Sequence, residues 1–257
     1  MDTLGMTALG MAAVRAVESR RDDRLFDDPY AQLFLDAMPI TRPAASSDLG
    51  GMFASHGSIR TRFFDDYLRR SDCRQVVLLA AGLDTRAFRL TWPSDTRLFE
   101  LDLPDVLTFK DTVLTGNAPA CHRVTLPDDL RANWAKDLIA AGFDPDIRTA
   151  WLAEGIMIYL SADEASTMLT AVADLSARGS HLAFEHGENN PMAALARTMP
   201  AMAEFTSLWK GGLNEDASAW LAARGWQVEI HSDVHYGRQT STTGFLTARF
   251  GTNPESA

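Results

Sequence analysis

The 257-residue chain contains only two cysteines, Cys73 and Cys121, and neither belongs to a Cys-x-x-Cys pair. That excludes a disulfide framework, and a reducing cytoplasm is the natural compartment. No apolar run is long enough to cross a bilayer, and no basic segment leads into an apolar one near Met1. Neither a membrane span nor a secretory signal is therefore expected. Positive charge is also short, with 24 Lys and Arg against 34 Asp and Glu and a net charge of −10. Nucleic-acid backbones and anionic membranes demand a basic face, so neither is expected as a partner. Repeats and low-complexity segments are missing too. What is left, 46% hydrophobic and 23% charged, suits a globular chain that can bury one full core.

Residues 1–72 show helical spacing and no strand. Met6 to Val17 carries apolar residues on one face, and Asp27-Asp28-Pro29-Tyr30 opens a second helix bearing Leu33, Phe34 and Leu35. Thr41 to Gly51, rich in Pro, Ser, Gly and Ala, reads as a loop, and Ser55 to Arg70 as a third helix. From Gln75 onward, strands and helices alternate. Strands are predicted at Gln75–Ala81, Thr96–Asp102, Cys121–Leu126, Thr149–Glu154, His181–His186, Gln227–His231 and Gly244–Phe250. Helices are predicted at Pro104–Leu114, Asp129–Ala141, from a capping box at Ser161 to Ala177, and over Pro191–Lys210 and Glu215–Arg224. This is an α/β pattern: a doubly wound, mostly parallel, seven-stranded sheet. Residues 1–72 form a helical cap on a core of 73–257 with a helical insertion near 191–224, one structural domain overall. With no long helix between the last two strands, the final strand is expected to enter antiparallel.

The stretch Gln75-Val76-Val77-Leu78-Leu79-Ala80-Ala81-Gly82 is a buried strand that stops at a glycine turn, after which Asp84-Thr85-Arg86 opens a helix. In such sheets, ligands lie beyond the carboxyl ends of the strands. The residues there are Gly82 and Asp84, Glu100 and Asp102, Asp128 and Asp129, Glu154, and Glu185 and His186. Asp102 follows Gly82 at the distance, about 20 residues, where a carboxylate can hold a ribose hydroxyl pair. A dinucleotide fingerprint needs three glycines, and here only Gly82 is present, beside Ala80, Ala81 and Ala87. A pyrophosphate would also meet Asp84. An acidic ring instead suits a ligand with a ribose, an adenine amine and a cation, as in S-adenosyl-L-methionine (SAM). An NAD(P)-dependent oxidoreductase and a SAM-binding protein without turnover are the alternatives.

Ala80-Ala81-Gly82-Leu83-Asp84-Thr85-Arg86-Ala87-Phe88-Arg89-Leu90 resembles the first motif of the leucine carboxyl methyltransferase-like family, whose bacterial members include SAM-dependent and polyketide O-methyltransferases. Arg60 to Asp65, Phe99 to Asp102, Asp129-Leu130-Arg131 and Ala153 to Leu160 match further motifs in order, and Asp27 to Ala31 resembles the N-terminal pattern. The resemblance implies a Rossmann-like SAM methyltransferase. It places Gly82 against the methionine portion and Asp102 on the ribose. Asp129 and Leu130 take the adenine, and Glu154 lies under the methionine end. Arg60 pairs with the SAM carboxylate, Arg62 being the nearby alternative. Ala80 departs from the family, where many members have glycine. Read as residues alone, Asp102 and Asp129 could also cap the helices that follow them.

The histidines lack metal spacing, so no metal is expected. The resemblance leans toward a small-molecule carboxyl acceptor first and a polyketide or phenolic hydroxyl second. For a hydroxyl, His186 is the candidate general base. Met192, Met199, Met202 and Phe205 hint at an apolar acceptor or simply at a core stripe. Nothing in the residues indicates the oligomeric state.

Overall fold

A computed structural model describes residues 3–38, 48–185, 191–232, 234–236, 239–241 and 244–251. The apolar runs become strands β1 (Gln75–Leu79), β2 (Arg97–Asp102), β3 (His122–Pro127), β4 (Thr149–Ala153), β5 (His181–Glu185) and β6 (Trp226–His231). A short hairpin of β7 (Val234–Tyr236) and β8 (Gln239–Ser241) precedes β9 (Phe245–Phe250). The main sheet has seven strands in the order β3-β2-β1-β4-β5-β9-β6. Its pairings are parallel except for β9, which runs antiparallel to both β5 and β6. The fold is the doubly wound, Rossmann-like sheet that the alternating pattern predicts. β1 and β4 are buried along their whole lengths, which is why, past Gln75 and Thr149, they read as apolar runs.

Each face of the sheet carries its own core. Val77, Leu79, Phe99, Leu101 and Trp151 face one side, under α6 (Trp134–Ala140), α7 (Ala162–Asp174) and α10 (Ala217–Ala222). Val76, Leu78, Leu98, Leu152 and Phe245 face the other. There they meet α1 (Thr3–Ser19), α2 (Ala31–Ala37), α3 (Asp48–Arg70), α4 (Arg86–Arg89) and α5 (Pro104–Val113). Burial of each large side chain here, such as Phe34, Phe64 or Trp151, contributes roughly 1.5–3 kcal/mol. The helices up to Arg70 thus supply one layer of the sandwich, and α8 (Pro191–Arg197) and α9 (Ala203–Thr206) lie beyond the strand ends.

Four local expectations change. Asp48 to Gly51 are helical, extending α3 backward, while residues 41–47 of the expected loop lie outside the described residues. The helix after Gly82 is a single turn. The helix expected from Asp129 begins only at Trp134, because Asp128 and Asp129 spend their carboxylates on the N–H groups of Asp129 and Arg131 and build a turn. The segment from Pro191 breaks at Met199, which takes an extended conformation ahead of Pro200 as pre-proline residues do. The Ser161–Glu164 capping box forms as predicted. Among the described residues, no helix is long and apolar enough to cross a membrane, and both cysteines are free thiols.

Candidate functional site

The carboxyl ends of β1, β2, β4 and β5 open into a cavity of about 570 Å³. Of the residues expected at the site, Arg60, Gly82, Asp102, Asp129, Leu130 and Glu154 all line it. His186 lies outside the described residues. Arg62 is not in the lining; it pairs with Asp66 at 2.9 Å and donates to the Leu25 carbonyl at 2.7 Å.

The β1 turn is held by its neighbour. Ala81 N–H donates to Leu101 O at 2.9 Å, and Gly82 N–H donates to Asp102 Oδ2 at 2.6 Å. Asp102 Oδ1 accepts from Leu103 N–H at 2.7 Å, so this carboxylate ties the turn to the end of β2. Each oxygen accepts one hydrogen bond and so keeps a second lone pair, in a residue that lines the cavity. Burial pushes the Asp102 carboxyl above its ordinary value, against the two N–H donors. Gly82 has φ +51°, and Ala80 has φ +56°, a left-handed backbone that a side chain resists. The departure from the family at Ala80 is thus a strained residue in the turn itself.

At the far end, Asp129 is only partly available. Arg131 grips both of its oxygens, and the Arg131 N–H donates to one at 2.9 Å. Those hydrogen bonds hold Asp129 below the ordinary carboxylate range. Asp128 differs: its Oδ1 accepts from Asp129 N–H, whereas its Oδ2 is buried and has no hydrogen-bond partner among the described residues. Both aspartates and Leu130 line the cavity, and Leu130 is buried.

Between β1, β4 and β5 runs a chain of alternating charges. Arg60 Nε donates to Glu154 Oε1 at 2.9 Å and its Nη1 to Glu185 Oε1 at 3.0 Å. Arg86, nearly fully buried, donates to Glu154 Oε2 at 2.7 Å, to Asp65 Oδ1 at 2.7 Å and, more closely still, to Asp84. Arg89 takes Asp65 bidentately at 2.6 and 2.7 Å. Thr85 and Arg15 both bind Asp28 Oδ2, at 2.7 and 2.8 Å, and Arg15 also reaches the Leu83 carbonyl. Burial would raise the carboxyls of Asp84 and Glu185. Arg86 and Lys110 outweigh it at Asp84, and Arg60 and His56 at Glu185, so both stand at about 2. The same carboxylates raise Arg60 and Arg86 above the ordinary guanidinium value although burial opposes them.

His56 and Arg86 are among the participants not singled out from the sequence. His56 lies four residues before Arg60 on α3, one turn along the same face, and its Nε2 is 3.3 Å from Glu185 Oε1. That i, i+4 spacing was the available signal. Arg86 was read only as part of a motif, since nothing local shows three carboxylates converging on it. Met202 and Phe205 line the cavity, Met199 does not, and the Met192 side chain lies outside the described residues. Among the described residues no cluster is disposed to hold a metal.

The profile of the leucine carboxyl methyltransferase family matches residues 8–173. A protein of Frankia alni that carries a provisional name as a SAM-dependent methyltransferase is 51% identical over 236 residues, spanning 88% of this chain and 84% of its own. A similarly named Streptomyces coelicolor protein is 40% identical over 255 residues, spanning 92% and 89%. Solved structures share the fold at lower identity. A duf574 family protein of Streptomyces avermitilis superposes with a TM-score of 0.55 at 17% identity, over 93% of this chain and 96% of its own. The O-methyltransferase TomG of Streptomyces achromogenes, in complex with SAM, gives 0.52 at 12% over the same shares.

Proposed function

The chain belongs to the leucine carboxyl methyltransferase family, and from that premise we propose that it methylates an oxygen atom of a small-molecule acceptor. It is a methyltransferase whose cofactor is SAM. When bound, SAM supplies a methyl group already activated by a positively charged sulfur.

The observation that carries the reading is the charge count at the β1–β4–β5 end of the cavity. Arg15, Arg60, Arg86 and Arg89 face Asp28, Asp65, Asp84, Glu154 and Glu185, four positive groups against five negative. The excess negative charge, in surroundings of reduced dielectric, suits a ligand portion with a net positive charge, as the sulfonium-bearing methionine end has. A pyrophosphate would add to that excess. The remaining groups fit as well. Asp102 has lone pairs left for a ribose hydroxyl pair, and the unpartnered Asp128 oxygen suits an amine donor such as that of adenine. Arg60 would receive the cofactor carboxylate, and its Nη2 makes no hydrogen bond to another described residue. Glu154 and Asp84 would flank the ammonium.

The protein's share of the catalysis is then positioning in a water-poor cavity rather than activation of the methyl donor. Calorimetry with SAM and with NADH, followed by transfer of labelled methyl to small molecules, tests this. SAM binding that falls about tenfold or more in Asp102→Ala is expected, the size of a lost charged hydrogen bond. NADH binding without SAM binding would refute the reading.

A further inference from the structure

The strands beneath the cavity lie in the order β2-β1-β4-β5, and neighbouring strands are roughly 4.8 Å apart. With its ribose at Asp102 on β2 and its methionine portion at Gly82 after β1, SAM would follow this row and end near Glu154, at the end of β4. Glu185 closes β5, one strand further on. Its part of the cavity therefore falls to the acceptor.

Only one oxygen of Glu185 is engaged. His56 Nε2 and Arg60 Nη1 both meet Oε1, at 3.3 and 3.0 Å. Oε2 makes no hydrogen bond to another described residue, and the side chain, 21% exposed, lines the cavity. Gly155 leaves this oxygen uncovered, since a Cβ there would stand in contact with it at 3.7 Å. Against the effect of burial, Arg60 and His56 hold the carboxyl at about 2, so it is charged at neutral pH. An ionised oxygen can only accept, and an acceptor that covered it without a donor would lose affinity.

The rest of the lining sets the sign of that donor's charge. Among the described residues it contains no lysine, and every arginine already holds a carboxylate: Arg15 holds Asp28, Arg60 holds Glu154 and Glu185, Arg86 holds Asp65, Asp84 and Glu154, Arg89 holds Asp65, and Arg131 holds Asp129. The opposite wall is aromatic, with Phe53, Tyr159, Phe205 and Trp209. Phe53 precedes His56 by three residues on α3 and so shares the face that meets Glu185. Arg197 stands over Trp209 at 5.4 Å, whereas the other three rings have no cation over them among the described residues. A charged carboxylate oxygen beside aromatic faces is a receptor for an ammonium group.

Resting on the methyltransferase reading above, we propose that the acceptor is a small apolar molecule bearing a protonated amine, and that Glu185 Oε2 receives this amine beside the rings of Phe53, Tyr159 and Phe205. A protonated nitrogen has no lone pair, so the amine is the handle and the methyl group goes to oxygen. Glu185 is a specificity-determining residue: it selects cationic acceptors over neutral and anionic ones.

The test uses phenethylamine, phenethyl alcohol and phenylacetate, which carry a cation, a neutral group or an anion on one ring. Full-length protein is first titrated with SAM at pH 7, then loaded with S-adenosylhomocysteine and titrated with each probe. The amine should bind at least about tenfold tighter than the alcohol, the size of a charged hydrogen bond, and the acid weakest. Equal binding of amine and alcohol, tighter binding of phenylacetate, or no binding of the amine overturns the proposal. Glu185→Gln keeps the length and an oxygen for Arg60 but removes the charge. It should lose the preference for the amine while the affinity for the alcohol stays. A purely structural role would weaken both probes alike, and a role in holding the cofactor would weaken SAM and leave the amine unchanged; either result overturns the proposal. If Glu185→Gln does not fold, the wild-type order of the three probes decides. Failure of the first SAM titration would instead overturn the methyltransferase reading.

Discussion

Replacing Arg86 by methionine removes the guanidinium on which Asp65, Asp84 and Glu154 converge, while keeping most of the side-chain volume. Asp65 is completely buried and retains Arg89. Asp84 and Glu154 are about 13% and 17% exposed, and Asp84 loses its only salt bridge among the described residues. Removing one partner of a buried ion pair costs about 3–5 kcal/mol, because the other charge stays behind unpaired. At roughly 2 °C per kcal/mol for a chain of this size, the melting temperature at pH 7 should fall by about 6–10 °C. The loss must also depend on pH. Arg86 holds Asp84 at about 2, below its ordinary 3.8, so the stabilisation is complete above 3.8 and vanishes as pH falls through 2. In Arg86→Met that carboxyl can protonate instead, so the difference between variant and wild type should shrink as pH drops from 5 toward 3. Urea melts of both proteins at pH 7, 5, 4 and 3 measure it. A difference below about 1 kcal/mol at pH 7, or one that does not shrink with acid, would refute the account of Arg86 as the centre of the charge chain.

Ala80→Gly should stabilise the protein by about 0.5–1 kcal/mol, because the left-handed φ of +56° strains alanine more than glycine's extra chain entropy costs; an unchanged or lower urea midpoint counts against this. At the adenine end, Asp128→Asn should weaken SAM binding about tenfold. Asp129→Asn should change it less than about threefold, because Arg131 already occupies Asp129. Calorimetry with both variants decides, and the reverse order would return the adenine amine to Asp129.

The strands were legible because burial on both faces leaves only apolar residues in β1 and β4 after the paired Gln75 and Thr149 at their starts, and no helix would need so short a run. Asp102 and Glu154 were legible for a related reason, since a polar residue that ends a buried strand must face either solvent or a ligand, and Gly82 because it marks the turn. The role of Asp128 beside Asp129 was not, since it depends on which carboxylate an exposed arginine two residues later takes. Nor was the meeting of His56 with Glu185, 129 residues apart in sequence, which exists only because α3 crosses the end of β5. Helix starts failed where side chains of aspartate outcompeted the helix for backbone N–H groups, as at Asp128 and Asp129.

The insertion of β9 between β5 and β6 has a consequence for how the molecule is made. Phe245, the first residue of that strand, pairs with Glu185 across the sheet, stacks on Phe63 at 4.5 Å and lies under the His56 ring. A chain emerging from the ribosome N-terminus first therefore presents His56, Arg60, Glu154 and Glu185 long before the strand that seats them exists. The nascent chain can form β1 to β5 and their helices early. It must then hold the edge of β5 open while everything between Glu185 and Phe245 is synthesised, and only closure by β9 turns a partly assembled sheet into a finished site.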